Sequence, residues 1–301
     1  KEFNRGDNFG NAYFHMNQKR GRRWSATNAF LRPALTRPNL SVITQAMVKR
    51  VRTELQQGRK RAIGIEFAHP QHGECFAQAQ RETILAAGSI GSPQLLQLSG
   101  VGPASLLQRF GIGGIADLPG VGANLQDHYT GRMVYECSEP FTLNDVVGSL
   151  TKGLVAALRF AFLRKGFLTM GGSYATGFIR ADPASATPDI QTSISLFSAD
   201  KAGDRLHGFP GFTLAARLLR PESRGSVLIR SADPLQPPAI APNYLSSEKD
   251  CAVLLAGMKA TRRLADTAAM RRYIVREHDP GAACASDSEL LDFLRQRGGI
   301  A

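Results

Sequence analysis

The chain has 301 residues, 43% of them hydrophobic, with 30 glycines and 16 prolines scattered along its length. That composition fits a globular protein of one large or two ordinary domains and excludes a disordered or collagenous chain. A formal charge of +12, from 37 Lys and Arg against 25 Asp and Glu, permits attraction to phosphates, nucleic acid or anionic membrane without requiring any of them.

In chain order, the first 38 residues lack steady periodicity, apart from a short helix expected over Ser25 to Leu35 and ended by the Arg37-Pro38 step. Leu40 to Thr44 and Met47 to Leu55 are rich in β-branched residues and read as strands. Ala62 to Ala68 and Glu74 to Ala79 flank Pro70-Gln71-His72-Gly73 and read as a hairpin. Glu82 to Ala87 is a short apolar run closed by Gly88, the form of a buried strand in a parallel sheet. Ser92 and Pro93 then supply an N-cap and first helical position before Leu95, Leu96 and Leu98, and a weaker helix follows over Pro103 to Phe110.

Beyond a glycine-dense loop from Gly111 to Gly122, Gly131 to Glu136 reads as extended and Leu150 to Leu163 has helical spacing. Four more strands are expected at Tyr174 to Ile179, Ile190 to Phe197, Phe212 to Leu218 and Ser226 to Arg230. Alternation in the second of these puts Gln191, Ser193 and Ser195 on one face. Helices over Ser246 to Asp266 and Asp287 to Arg297 close the chain, and there is no internal repeat. Mixed β and α followed by a strand-rich block implies a nucleotide-binding fold joined to a sheet-based substrate domain, with the boundary between Asp127 and Ser138.

The basic residues concentrate at Lys19 to Arg23, Lys49 to Arg52 and Arg59 to Arg61, without interleaved aromatics, and read as solvated surface rather than a nucleic-acid module. Cys75, Cys137, Cys251 and Cys284 show no Cys-x-x-Cys spacing; they suggest neither a zinc site nor a disulfide framework and read as free thiols in a reducing compartment. No apolar stretch approaches the roughly 20 residues that span a bilayer. The opening residues carry no signal-peptide pattern and no initiating Met, so the protein is expected to begin upstream. The expected location is cytoplasmic, with association at a membrane as the alternative.

The strings that carry chemistry begin at Arg81-Glu82-Thr83-Ile84-Leu85-Ala86-Ala87-Gly88-Ser89, where small residues at a strand end let backbone approach a dinucleotide. Its continuation, Gly91-Ser92-Pro93-Gln94-Leu95-Leu96-Gln97-Leu98-Ser99-Gly100-Val101-Gly102-Pro103, resembles the second signature of the glucose-methanol-choline (GMC) oxidoreductase family. Further segments resemble that family in the same order. They are Arg23-Trp24-Ser25-Ala26 with Leu31-Arg32-Pro33 and Arg37-Pro38-Asn39-Leu40, then Leu118-Pro119-Gly120-Val121-Gly122-Ala123-Asn124-Leu125-Gln126-Asp127-His128. Arg220-Pro221-Glu222-Ser223-Arg224-Gly225, Ser231-Ala232-Asp233-Pro234 and Ala241-Pro242-Asn243-Tyr244-Leu245 follow.

The resemblance implies a mixed α/β (α+β) fold: a partial FAD-binding, Rossmann-like domain over 1–137 with a preceding lid-like segment, and a substrate domain over 138–301 with a largely antiparallel sheet and helices. It implies FAD as cofactor and oxidation of an alcohol, choline or a primary alcohol, to an aldehyde by hydride transfer to the flavin. It implies Val48 touching the adenine through its backbone, with Ala87 and Gly88 against the dinucleotide. Gln191, Ser193 and Ser195 are the candidates to face substrate. Asn124, Asp127 and His128 belong to a structural landmark, and His15, His69, His72, His207 and His278 read as solvated. No catalytic or metal-ligating residue is assigned.

The sequence lacks a Gly-x-Gly-x-x-Gly turn; Gly100-Val101-Gly102-Pro103-Ala104-Ser105 comes closest, with Ser in place of the third Gly and Pro removing a donor. The family's catalytic His, in a His-Pro segment, is expected beyond Gly298-Gly299-Ile300-Ala301. The chain therefore reads as an inactive piece of a flavoenzyme that holds FAD weakly or not at all. Its expected partners are a small-molecule alcohol and a peripheral membrane or quinone-linked electron acceptor, not nucleic acid. A truncated binding or structural module ranks second and a basic nucleic-acid binder third.

Overall fold

A computed structural model describes residues 2–201 and 203–300. The chain forms two compact units, one of residues 1–34, 128–222 and 245–301, the other of residues 35–127 and 223–244.

The larger unit is built on a six-stranded antiparallel sheet. Its order is Gly10–Tyr13, Ala175–Ile179, Ile190–Ser195, Gly211–Leu218, Thr130–Cys137 and Ile274–Asp279. The alternation in Ile190–Ser195 is realised in register, with Ile190 opposite Leu218 and Ile194 opposite Leu214. One face is buried under the helices Glu248–Ala265 and Asp287–Arg297. Met133, Ile190, Leu214, Leu254, Met258, Leu290 and Leu294 are 0–2% exposed there, and each such side chain contributes roughly 1.5–3 kcal/mol on burial.

Close approach of helix to sheet depends on glycine on each side. A Cβ at Gly131 would lie 2.4 Å from Leu294 Cδ2 and 2.5 Å from Met258 Sδ, and one at Gly257 would lie 2.9 Å from Ile190. Helix Asp287–Arg297 starts with a reciprocal capping box. The Ser286 backbone N–H donates to Glu289 Oε2 at 2.9 Å, while the Glu289 N–H donates to Ser286 Oγ at 3.3 Å. Those bonds hold the Glu289 carboxyl below its ordinary range. Helix Leu150–Leu163 forms over the bounds its periodicity marks, ended by Arg164 in a left-handed conformation.

In the smaller unit the strands Met47–Gln56, Arg59–His69 and Gly73–Gln78 form an antiparallel sheet. A two-residue turn joins the first two, with both Gln57 and Gly58 at positive φ, the geometry that matches strand twist. Helix Gly88–Leu98 lies against the first strand, and the Val51 N–H donates to Ser99 Oγ at 2.8 Å. Ser226–Leu228 pairs with Ala239–Ala241, and the one parallel pair among the described residues is Val101–Gly102 with Ala116–Asp117.

Three expectations need correction here. Leu40 to Thr44 is not a strand; Val42 and Ile43 are exposed, because β-branched residues form a strand only where a neighbour pairs with them. Glu82 to Ala87 is neither a strand nor buried, and Ile84 is 76% exposed. A parallel-sheet strand needs neighbours on its edges and cover on its faces, and no described segment supplies them. The helix also begins at Gly88 rather than Ser92. Ser92 Oγ accepts the Ala87 N–H at 3.1 Å from inside the first turns, and Pro93 lies within the helix.

Gly131→Ala is expected to lower stability by about 1–3 kcal/mol through overpacking, while Gly120→Ala, whose Cβ would meet nothing within 4 Å, should be neutral. Urea midpoints check this; equal midpoints for the two variants would contradict the packing described.

Candidate functional site

Three of the sequence strings meet at one side chain. Gln97, on helix Gly88–Leu98, is 0% exposed. Its Nε2 donates to Val227 O at 2.9 Å and to Val121 O at 3.3 Å, and its Oε1 accepts the Ile229 N–H at 2.8 Å. The helix string is thus joined to the Leu118 to His128 string and to the strand that follows Gly225. Gly122, at φ +84, passes so close that a Cβ would stand 2.3 Å from Gln97 Nε2. Leu125 and Gly225 exchange backbone bonds of 3.0 and 2.8 Å, and Tyr244 Oη donates to Asp127 Oδ2 at 2.8 Å. These contacts give Asp127 a positioning partner within the same unit.

The residues expected to meet a dinucleotide lie on the strand against this helix and at the helix's start. Val48 is half-buried on Met47–Gln56, opposite Phe67, beside a bulge at Lys49. Ala87 and Gly88 are exposed at the start of the helix that rests on that strand. Gly88 has φ +78, and a Cβ there would meet nothing within 4 Å, so the backbone edge is open to a ligand. That openness fits an adenosine moiety.

The nearest glycine-rich string does not offer a phosphate cradle. Gly102 is pressed against Gln97, and the amide of Ala104 opening the next short helix already donates to Asp117 Oδ1 at 3.0 Å. A groove of about 620 Å3 lies along the middle of the first strand; Val48, Ala87 and Gly88 do not line it. Its cations have carboxylate partners. Lys49 pairs with Glu74 at 2.5 Å, and Arg50 and Arg52 both pair with Glu66, whose carboxyl they hold below its ordinary range.

In the larger unit, Gln191, Ser193 and Ser195 do share the sheet face opposite Ile190 and Ile194. Gln191 lies in a bonded row that spacing alone did not reveal. Gln191, Arg217 and Thr130 sit directly opposite one another on three neighbouring strands. Arg217 Nη1 donates to Gln191 Oε1 at 2.9 Å and its Nε to Thr130 Oγ1 at 3.1 Å, while Gln191 Nε2 donates to Thr176 Oγ1 at 3.0 Å. Burial, with Arg132 nearby, lowers the Arg217 guanidinium from its usual value. Ser195 Oγ lies 3.2 Å from Ser173 Oγ, and Ser193 is 8% exposed. The arrangement is a preorganised polar wall with a fixed cation. Arg217 was missed, although an Arg at period two with Thr213 and Ala215 in an otherwise apolar strand signals it.

A further correction concerns His207, which is not solvated. Its side chain is 13% exposed, its ring stacks on Phe209 at 4.7 Å and meets His278 at 5.0 Å, and its Nδ1 lies 3.1 Å from Ser198 Oγ. Nearby, burial raises the Asp279 carboxyl above its ordinary value of 3.8, an effect that Arg297 and His278 oppose. The cysteines are free, with Cys137 buried.

Two parts of the GMC oxidoreductase family model match the chain, over residues 1–130 and 221–300. An alcohol dehydrogenase [acceptor] of Pseudomonas putida is 35% identical over 297 residues, covering 98% of this chain and 53% of that protein. An oxygen-dependent choline dehydrogenase of Brucella anthropi is 38% identical over 281 residues, 92% of this chain and 49% of that protein. The chain thus spans about half the length of the curated relatives it matches. Among solved structures, pyridoxine 4-oxidase from Mesorbium loti superposes with TM-score 0.80 at 25% identity, over 97% of this chain and 52% of that one. A formate oxidase of Aspergillus oryzae, studied for modification of its FAD, shares the fold with TM-score 0.88 at 23% identity, over 98% of this chain and 55% of that one.

Gln97→Leu is expected to destabilise the protein by about 3 kcal/mol or more, since it strands two carbonyls and an amide in the interior; a loss under about 1 kcal/mol would remove Gln97 as the anchor. For Asp279 the raised folded value means the native state holds the proton more tightly than the unfolded chain. Stability therefore falls as pH rises from 3.8 through that value. Asp279→Asn should flatten this fall in thermal midpoints measured across pH, and an unchanged profile would contradict it.

Proposed function

Because the chain belongs to the GMC oxidoreductase family, we propose that it serves FAD-dependent oxidation of choline or a primary alcohol to the aldehyde. The observation that carries this reading is the likeness to an alcohol dehydrogenase along 98% of the chain, joined to an open backbone edge where an adenosine is expected.

When bound, the flavin supplies a two-electron acceptor for hydride leaving the carbinol carbon. The chain's own residues do the binding and walling. Ala87 and Gly88 leave the edge clear for the adenosine, and Val48 offers its backbone beside it. Gln191, Ser193 and Ser195 present a polar wall toward substrate, with Arg217 holding the Gln191 amide in one orientation. None of these groups is suited to accept the alcohol proton: Arg217 is cationic, and serine and glutamine are weak bases. On this reading the proton acceptor and the pyrophosphate cradle lie in the further length that the relatives possess. On this reading the chain alone is inactive and holds FAD weakly. The electron acceptor would be oxygen or a quinone-linked carrier.

The test is the protein expressed from its full-length reading frame. It is expected to purify with FAD and to reduce an artificial acceptor when given choline or a primary alcohol. A colourless protein that turns over neither would contradict the reading. In that protein Ala87→Phe should weaken FAD retention about ten-fold, roughly 1.4 kcal/mol, without changing the thermal midpoint of the flavin-free form. Unchanged retention would take Ala87 out of the cofactor site.

A further inference from the structure

Helix Leu150–Leu163 has no buried residue. Gly153, Ala156 and Phe160 alone are half-buried, at the i, i+3, i+7 spacing by which a helix rests on its own unit. At 3.6 residues per turn, Leu150, Leu154, Leu158, Phe162 and Val155 fall on one arc roughly 140° wide that points away from that stripe. They are 95%, 62%, 48%, 80% and 63% exposed.

The next positions round the helix belong to Lys152 and Arg159, and Arg164 and Lys165 follow its end. No Asp or Glu occurs between Asp145 and Asp182. An exposed apolar arc is thus bordered along one side by cations, with no carboxylate on the segment to neutralise them. The helix rises about 21 Å, short of the roughly 30 Å hydrocarbon core, and among the described residues no helix is long and apolar enough to cross a membrane.

We propose that helix Leu150–Leu163 is an interfacial anchor that lies in the plane of an anionic phospholipid bilayer. Its leucine and phenylalanine arc enters the acyl boundary while Lys152, Arg159, Arg164 and Lys165 meet lipid phosphates. Charge selects this occupant over a second copy of the chain. An antiparallel two-fold contact through the arc would bring the cations of one copy against the same cations of the other, and in either arrangement the segment has no acid to pair with them. Thr151 is the single hydrogen-bonding side chain within the arc, which suits hydrocarbon better than a structured protein partner.

Co-sedimentation with vesicles of phosphatidylcholine and phosphatidylglycerol at 7:3, against pure phosphatidylcholine, tests the anchor. The chain is expected to bind the anionic vesicles alone. Leu154→Ser with Phe162→Ser keeps the net charge and alters exposed positions only; it should cut binding at least ten-fold. Lys152→Gln with Arg159→Gln should cost about five-fold per cation, roughly twenty-five-fold together. In a Trp24→Phe background, Phe162→Trp should shift its emission to the blue on adding vesicles. Equal binding by the Leu154→Ser, Phe162→Ser variant would overturn the proposal in favour of general adhesion by net charge. So would an unshifted emission, or self-association that the same variant abolishes without any vesicle binding.

Discussion

Gln97 is held without exposure to solvent, and every bond its amide makes runs to backbone: two carbonyls accept from Nε2 and one N–H donates to Oε1. A primary amide is the group that can donate twice and accept at once in so small a volume, and a buried backbone group left without a partner costs about as much as a lost hydrogen bond. The helix, the glycine-rich loop and the strand after Gly225 must therefore keep their spacing. Gly122 and Gly102 follow from the same demand, because a Cβ on either would enter the space the Gln97 side chain fills. The helix so fixed begins at Ala87 and Gly88, so the same amide sets where that open backbone edge lies.

The larger unit answers to a different constraint. One face of its sheet is closed by two helices over an apolar core, which frees the other face to be polar. A charged side chain on a half-buried sheet persists only with partners, and Arg217 finds them on both neighbouring strands. The cross-strand row Gln191, Arg217, Thr130 converts loose side chains into a wall of fixed orientation. Preorganisation of this kind is what a site needs if it is to position a small hydroxylated substrate.

The sequence made legible what depends on local pattern. Alternation located the strand and its polar face, expected over Ile190 to Phe197 and formed over Ile190–Ser195, and the helical spacing of Leu150–Leu163 was correct to the residue. Patterns whose meaning lies in distant partners were not legible. Glu82 to Ala87 has the composition of a buried strand, but composition does not say whether neighbouring strands are present to pair with it. Ser92-Pro93 is a sound local start signal, overridden because the chain can begin its helix a turn earlier at a glycine with positive φ. His207 looked solvated because His278 comes from a distant strand, while its contacts with Phe209 and Ser198 depend on how one loop folds back on itself. At the candidate site, Val48, Ala87 and Gly88 came from the family likeness rather than spacing, whereas Arg217 stood in a period-two pattern whose partners only register reveals.

The central claim is an anchored interior beside an open backbone edge within the smaller unit, and amide hydrogen exchange reads both at once. The Ile229 amide, which donates to Gln97 Oε1, should exchange among the slowest in that unit, while amides of residues 82–86 exchange at rates near those of an unstructured chain. Ile229 exchanging as fast as Ile84 would contradict the anchor and, with it, the placement of the edge.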